Sequence, residues 1–153
     1  MKEDNPHRLS TVYDCEIIEL PRLGDDTDGT LTVVENADGV RFPVRRVYYI
    51  YDVPADAERG GHSHHQMQSY VVALTGSFDV TLDDGVRTRR ITLNRPYKAL
   101  YIARGIWRTI DNFSGGAVCM ALASEKYDED DYVRSYDDFM ALTACKRTKD
   151  TDK

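Results

Sequence analysis

A chain of 153 residues with 41% hydrophobic and 30% charged side chains is the size and composition of one globular domain. Its net charge of −6 argues against a general nucleic-acid binder, though local arginines can still favour an anion inside one cleft. No apolar run approaches the roughly 18 residues of a membrane span, and none follows the first charges, so neither a membrane segment nor a secretory signal is expected.

Residues 1–28 are mixed in character, and 23–29, Leu-Gly-Asp-Asp-Thr-Asp-Gly, reads as a turn. Short β-rich runs then recur at 30–34, 46–53, 69–74, 78–82, 89–93, 99–103, 107–110 and 117–123, separated by Gly, Pro, Asn and Asp. Asp84-Gly85 between two alternating runs is the strongest hairpin signal, and Phe78, Val80 and Leu82 share one face of the first run. Eight or nine short strands at near-regular spacing over 30–123 predict an all-β sandwich or barrel, without a βαβ rhythm. The acidic run 128–131 reads as a helix start, and Tyr132, Val133, Tyr136, Phe139, Met140 and Leu142 follow at helical spacing. One or two short helices are expected over 129–144, with a frayed tail over 146–153. Three cysteines (Cys15, Cys119 and Cys145), odd in number and without a Cys-x-x-Cys pair, fit a reducing cytoplasm.

Three of the four histidines stand within four positions, at His62, His64 and His65, behind Gly60-Gly61. On a strand, His62 and His64 share a face because side chains alternate with period two, while His65 points away. His65 and His7 read as surface residues. The pair admits a polar surface patch, a metal site or metal-free acid–base chemistry. The spacing resembles the first cupin motif, G-x5-H-x-H-x3–4-E-x6-G, closing at Gly76, but Ser69 or Gln68 stands where the glutamate ligand belongs. The second motif, P-x-G-x2-H-x3-N, aligns with 103–105, Arg108 and Asn112, so Arg108 occupies the place of the histidine ligand. Two of four metal ligands are replaced, one by a permanent cation that repels a divalent ion, and no metal is expected. The fold expected on this resemblance is a cupin-type β-barrel or jelly roll, the double-stranded β-helix, with one or two short C-terminal helices.

Arg46-Val-Tyr-Tyr-Ile-Tyr-Asp52, Arg59-Gly-Gly-His-Ser-His64, Leu82-Asp-Asp-Gly85 and the run from Tyr127 to Phe139, YDEDDYVRSYDDF, resemble in order and spacing the dTDP-4-keto-6-deoxyglucose 3,4-ketoisomerases. The resemblance runs over about 30–139. It implies a cupin-fold homodimer with exchanged strands that moves a carbonyl from C4 to C3 of a dTDP-linked 4-keto-6-deoxyhexose, on the way to 3-amino sugars. It also implies a histidine pair that works without metal or other cofactor. The sequence departs from the family at Asp28, where arginine is usual, at Gln68-Ser69 in place of Glu-Gln, and at Arg108, where histidine is frequent after the tryptophan.

A 3,4-ketoisomerisation takes a proton from C3, passes through an enediol and returns a proton to C4, so it needs a carbon base and a partner for oxygen protons. His64 is read as the carbon base and His62 as the partner. Arg59, Arg46 and Arg108 are candidates for the carbonyl or the diphosphate, and Arg104 lies near the barrel mouth in the cupin register. Tyr48 and Tyr49 lie on opposite faces of one strand; alternation does not choose between them, and the resemblance leans to Tyr49 or Tyr51. Tyr101 and Trp107 are candidates for stacking on thymine or sugar, with core packing as the plainer role. A metal-dependent cupin oxygenase and a non-catalytic sugar-nucleotide binding module remain the alternatives.

Overall fold

The computed structural model describes residues 8–151, so His7 lies outside the described residues. In chain order the strands are β1 (Ile17–Glu19), β2 (Arg22–Asp25), β3 (Gly29–Thr32), β4 (Arg46–Ile50), β5 (Arg59–His64), β6 (Ser69–Thr75), β7 (Phe78–Asp83), β8 (Thr88–Leu93), β9 (Lys98–Ile102), β10 (Trp107–Asp111), β11 (Val118–Ala123) and β12 (Tyr132–Val133), followed by helix α1 (Tyr136–Thr151). Two five-stranded antiparallel sheets, ordered β1-β9-β6-β11-β4 and β12-β5-β10-β7-β8, face one another as a jelly roll, and β2-β3 stands apart as a hairpin. The expected cupin architecture is present as two sheets, without continuous pairing into a closed barrel. Among the described residues no helix is long and apolar enough to cross a membrane.

The apolar runs form the strands that the two-residue period assigns to them. Phe78, Val80 and Leu82 are wholly buried on one face of β7. The edge strand β8 buries only Ile91 and Leu93 and turns its other face to solvent. Central β6 buries both faces from Ser69 to Ala73, because the segment around Phe42 covers its outer side. There Phe42 packs on Tyr70, and Tyr70 on Tyr101, at centroid distances of 5.3 and 5.4 Å. At Gly76, φ is +69° and an added Cβ would lie 2.9 Å from Ala117, so this turn into β7 requires glycine.

The Asp84-Gly85 hairpin forms as expected between β7 and β8. Asp84 also accepts amide N–H groups from Val86 at 2.9 Å, Arg87 at 2.8 Å and Val12 at 3.0 Å, tying the N-terminal turn to the sheet. Several boundaries differ from expectation. The predicted turn over 23–29 is the tip of the β2-β3 hairpin, with Leu23 to Asp25 already paired. The strand predicted over 46–53 ends at Ile50, and Asp52 takes a left-handed φ of +55°. The acidic run is not the start of the long helix: Asp128 caps a separate 3-10 turn over Glu129–Asp131, which leads into β12. Helix α1 continues through Thr151, past the expected end at 144 and into the expected frayed tail. No Gly or Pro interrupts 145–151, and Lys and Arg are good helix formers. Val133, Phe139 and Met140 form a second small core with Trp107 beneath α1.

Candidate active site

Strand β5 turns His62 and His64 to the interior, as the alternation requires, with ring centroids 4.8 Å apart and nearly perpendicular. Arg108 of β10 is the direct cross-strand partner of His62, and Tyr132 of β12 is that of His64. The Tyr132 ring bridges the pair, 5.1 Å from His62 and 4.3 Å from His64. From the facing sheet, Tyr48 shares a row with Ala121, Val71 and Leu100, while Arg46 shares the next row with Ala123, Ser69 and Ile102. The two sheets meet here through Arg46, which donates to the Tyr132 hydroxyl at 3.3 Å and lies over the Tyr48 ring. The site therefore combines two imidazoles, two guanidiniums and two phenols.

Arg108 is only 3% exposed, and its Nε and one terminal nitrogen donate to the carbonyl of Ile106 at 3.3 and 3.2 Å. Burial lowers its pKa from the ordinary arginine value, opposed by nearby Tyr48, Cys15, Tyr132 and Asp131. The guanidinium nevertheless stays charged at neutral pH. It acts on its neighbours in turn. Burial first, then Arg108 and Arg134, pushes the His62 pKa down to about 3. Burial first, then Arg108 and His62, pushes that of His64 down to about 2. Both rings are thus neutral at pH 7 and can accept a proton. Burial raises the pKa of Tyr48, with Arg108 opposing it, so this hydroxyl remains a donor.

Three buried polar atoms lack hydrogen-bond partners on this interior: Nδ1 and Nε2 of His64 and Oγ of Ser69. Each costs about 1–3 kcal/mol when unpaired, the mark of a site shaped for a polar ligand. The donor set does not fit a divalent ion. Ser69 replaces a carboxylate, Arg108 places a cation opposite His62, and among the described residues no group of three His, Cys, Asp or Glu side chains converges.

The structure brings His62, His64, Arg46 and Arg108 together and moves the other sequence candidates elsewhere. Tyr49 lies on the outer face of β4, 62% exposed, because Arg46 and Tyr48 take the inward parity, and Tyr51, just past the strand's end, is 60% exposed. Tyr101 points to the opposite face of its sheet, where Arg41 lies over the ring and Gln68 accepts from the hydroxyl. Trp107 faces away from Arg108 and packs on Phe139 and Tyr136 under α1, so its role is the core one. Arg59 is exposed at the start of β5, opposite Ile110 and beyond an irregularity in the pairing. His65 is exposed on the other face, as expected, and Arg104 is half-buried in the turn before β10.

Sequence reasoning missed Tyr132 and Asp131 and left Tyr48 undecided. A signal existed for Tyr48: accepting Arg46 as a ligand contact fixes the parity of the strand and brings Tyr48 inward. For Asp131 and Tyr132 no local signal exists, because only tertiary pairing lays their turn against β5. Asp131 stands with Oδ2 3.3 Å from Nδ1 of His64.

Known proteins share this architecture. The family described as FdtA, WxcM-like, C-terminal, matches residues 13–144. The TDP-4-oxo-6-deoxy-alpha-D-glucose-3,4-oxoisomerase of Aneurinibacillus thermoaerophilus is 41% identical over 119 residues, which span 78% of this chain and 86% of that protein. A 3,4-ketoisomerase from Helicobacter canadensis is 37% identical with a TM-score of 0.82, over 86% of this chain and 98% of its own. A histidine-to-asparagine variant of the 3,4-ketoisomerase QdtA from Thermoanaerobacterium thermosaccharolyticum, in complex with TDP-4-keto-6-deoxyglucose, is 35% identical with a TM-score of 0.85. That likeness covers 88% of this chain and 97% of the other.

Proposed function

The chain belongs to the FdtA family, WxcM-like, C-terminal, and from that premise we propose that it isomerises dTDP-4-keto-6-deoxyglucose, moving the carbonyl from C4 to C3. It is a dTDP-sugar 3,4-ketoisomerase, and the observation that carries the chemistry is the pair of neutral imidazoles on one strand with a buried guanidinium directly opposite. His64 removes the C3 proton while the C4 carbonyl becomes an enediolate oxygen. Arg108 stabilises that negative charge, as a fixed donor in a dry interior does best. His62 carries the hydroxyl proton from O3 to O4, and the proton returns to carbon at C4. Atoms and electrons balance within the sugar, so no oxidant or reductant is needed, and Arg108 takes the charge-stabilising task that a metal could otherwise perform. The incoming anion beside Arg108 also offsets the positive field that depresses both imidazoles and makes them better bases.

Arg46 and Arg108 hold the anionic parts of the ligand, and Tyr48 and Tyr132 supply hydroxyls at the same interior. The product is a 3-keto sugar nucleotide suited to amination at C3, toward 3-amino-3,6-dideoxy sugars. The protein works as a homodimer with exchanged strands. Val47 and Tyr49 on the edge strand β4, with Tyr51 just past its end, are 56–62% exposed, and Leu23 and Leu31 lie exposed on a hairpin that pairs with neither sheet. An isolated two-stranded hairpin is marginal in water, and a second copy is the occupant that would steady it. The free thiols Cys15, Cys119 and Cys145 and a sugar-nucleotide substrate support a cytoplasmic setting.

NMR of dTDP-4-keto-6-deoxyglucose incubated with the protein in deuterium oxide tests the reading. The expected result is loss of the C3 proton signal and appearance of a 3-keto product bearing deuterium at C4. Tight binding of dTDP with no exchange at C3 would reduce the protein to a binding module. Loss of activity on chelation, restored by one divalent ion, would give the chemistry to a metal.

A further inference from the structure

The acidic turn read from sequence as a helix start is fastened to the end of the histidine strand. The backbone carbonyl of Asp131 accepts the His65 N–H at 3.0 Å, and its carboxylate accepts those of Gln66 at 2.8 Å and Met67 at 3.1 Å. So anchored, the carboxylate cannot swing away, and Oδ2 stands 3.3 Å from Nδ1 of His64, a ring whose side chain is fully buried. The two groups stand within ion-pair distance without the alignment of a formed hydrogen bond, and the negative charge favours the tautomer whose proton sits on the nearer nitrogen, Nδ1. The following residue, Tyr132, then packs against the same ring at 4.3 Å and fixes its plane.

We propose that Asp131 is a positioning residue that holds His64 in the Nδ1–H tautomer, leaving the Nε2 lone pair as the carbon base. The assignment rests on the isomerase reading above and deepens it, because it separates the roles of two otherwise similar histidines. Charge points the same way. Around His64 stand Arg108 from β10, Arg46 from β4, His62 from its own strand, and Tyr132 and Arg134 from the C-terminal segment. None of these is a carboxylate. Among the described residues Asp131 is the only carboxylate within ion-pair distance of the His64 ring, and so the only one placed to stabilise the imidazolium formed when a substrate proton is taken. The pairing follows the general logic by which a carboxylate orients a histidine base and stabilises its protonated form.

Long-range 1H–15N correlation spectra of the full chain, with His64 assigned against His64→Asn, read the tautomer directly. The wild type at pH 7 is expected to show a protonated Nδ1 and a bare Nε2. Asp131→Asn is expected to lower kcat by about 100-fold to 10,000-fold with KM changed less than about threefold. Its acid limb of kcat should move to lower pH, because an imidazolium without its carboxylate loses its proton more readily. A wild-type His64 protonated at Nε2 overturns the proposal even if the variant fails to fold. So does an Asp131→Asn enzyme with unchanged kcat, or one whose losses are confined to melting temperature and KM, the signature of a turn clamp. Wild-type protein that leaves the C3 proton in place in deuterium oxide would instead sink the isomerase reading, while the tautomer spectrum still decides what Asp131 does to the ring.

Discussion

Replacing Arg108 by methionine separates the stability of this fold from its chemistry. The guanidinium is 3% exposed and donates to the backbone carbonyl of Ile106. Burying such a cation costs several kcal/mol of hydration, while its hydrogen bonds return about 1.5–3 kcal/mol. Methionine has similar length, fills the space with apolar atoms and removes the hydration cost, so the variant should be as stable as the wild type or about 1–3 kcal/mol more stable. At roughly 2–4 °C per kcal/mol for a chain of this size, the melting temperature should hold or rise by several degrees. Turnover should move the other way, because loss of one preorganised donor to a developing oxyanion lowers kcat by about 100-fold to 1,000-fold. Both imidazole pKa values should rise, since Arg108 is among the causes that depress them. Arg108→Lys keeps the charge but not the planar fork and should fall between the two in turnover. The assays are a circular-dichroism melt, histidine titration by NMR and turnover of dTDP-4-keto-6-deoxyglucose. A methionine variant that melts well below the wild type yet turns over normally would refute the reasoning, since Arg108 would then be a structural ion and not a catalytic one.

His62→Asn and His64→Asn should each keep the fold and lower turnover by about 100-fold to 10,000-fold, the usual loss for an acid–base group; normal turnover in either would remove that histidine from the mechanism. Both imidazoles titrate far below an unfolded histidine, near 3 and 2 against 6.5, so the unfolded chain binds more protons and stability should fall as pH drops from about 6.5 toward 3. Urea melts across that range test this, and the double variant His62→Asn/His64→Asn should show a shallower slope than the wild type. Asp84→Ala removes the acceptor of three backbone N–H groups from Val12, Val86 and Arg87 and should cost about 3 kcal/mol in a urea melt; a loss below about 1 kcal/mol would mean that water replaces the carboxylate freely.

Local chemistry wrote much of this protein into its sequence. The turn at Asp84-Gly85 and the buried face of Phe78, Val80 and Leu82 need only neighbouring residues, because turn dihedrals and two-residue alternation act over a few positions. The shared face of His62 and His64 follows from the same alternation, and the motif spacing that put Arg108 in a ligand's place also put it opposite His62. Alternation fixes which residues share a face but not which face turns inward. That choice depends on what covers the sheet. It brought Tyr48 inward and left Tyr49 and Tyr51 outside, sent Tyr101 under the Phe42 segment, and sent Trp107 under α1. Asp131 and Tyr132 reach His64 only because β12 pairs with β5 from the far end of the chain. Their own sequence reads as a helix cap, and nothing local distinguishes a cap from a carboxylate aimed at an imidazole. Residues near in sequence are constrained by steric and hydrogen-bond geometry that the chain carries with it. Residues distant in sequence meet only when burial of the two sheets against each other outweighs the entropy of closing the loops between them.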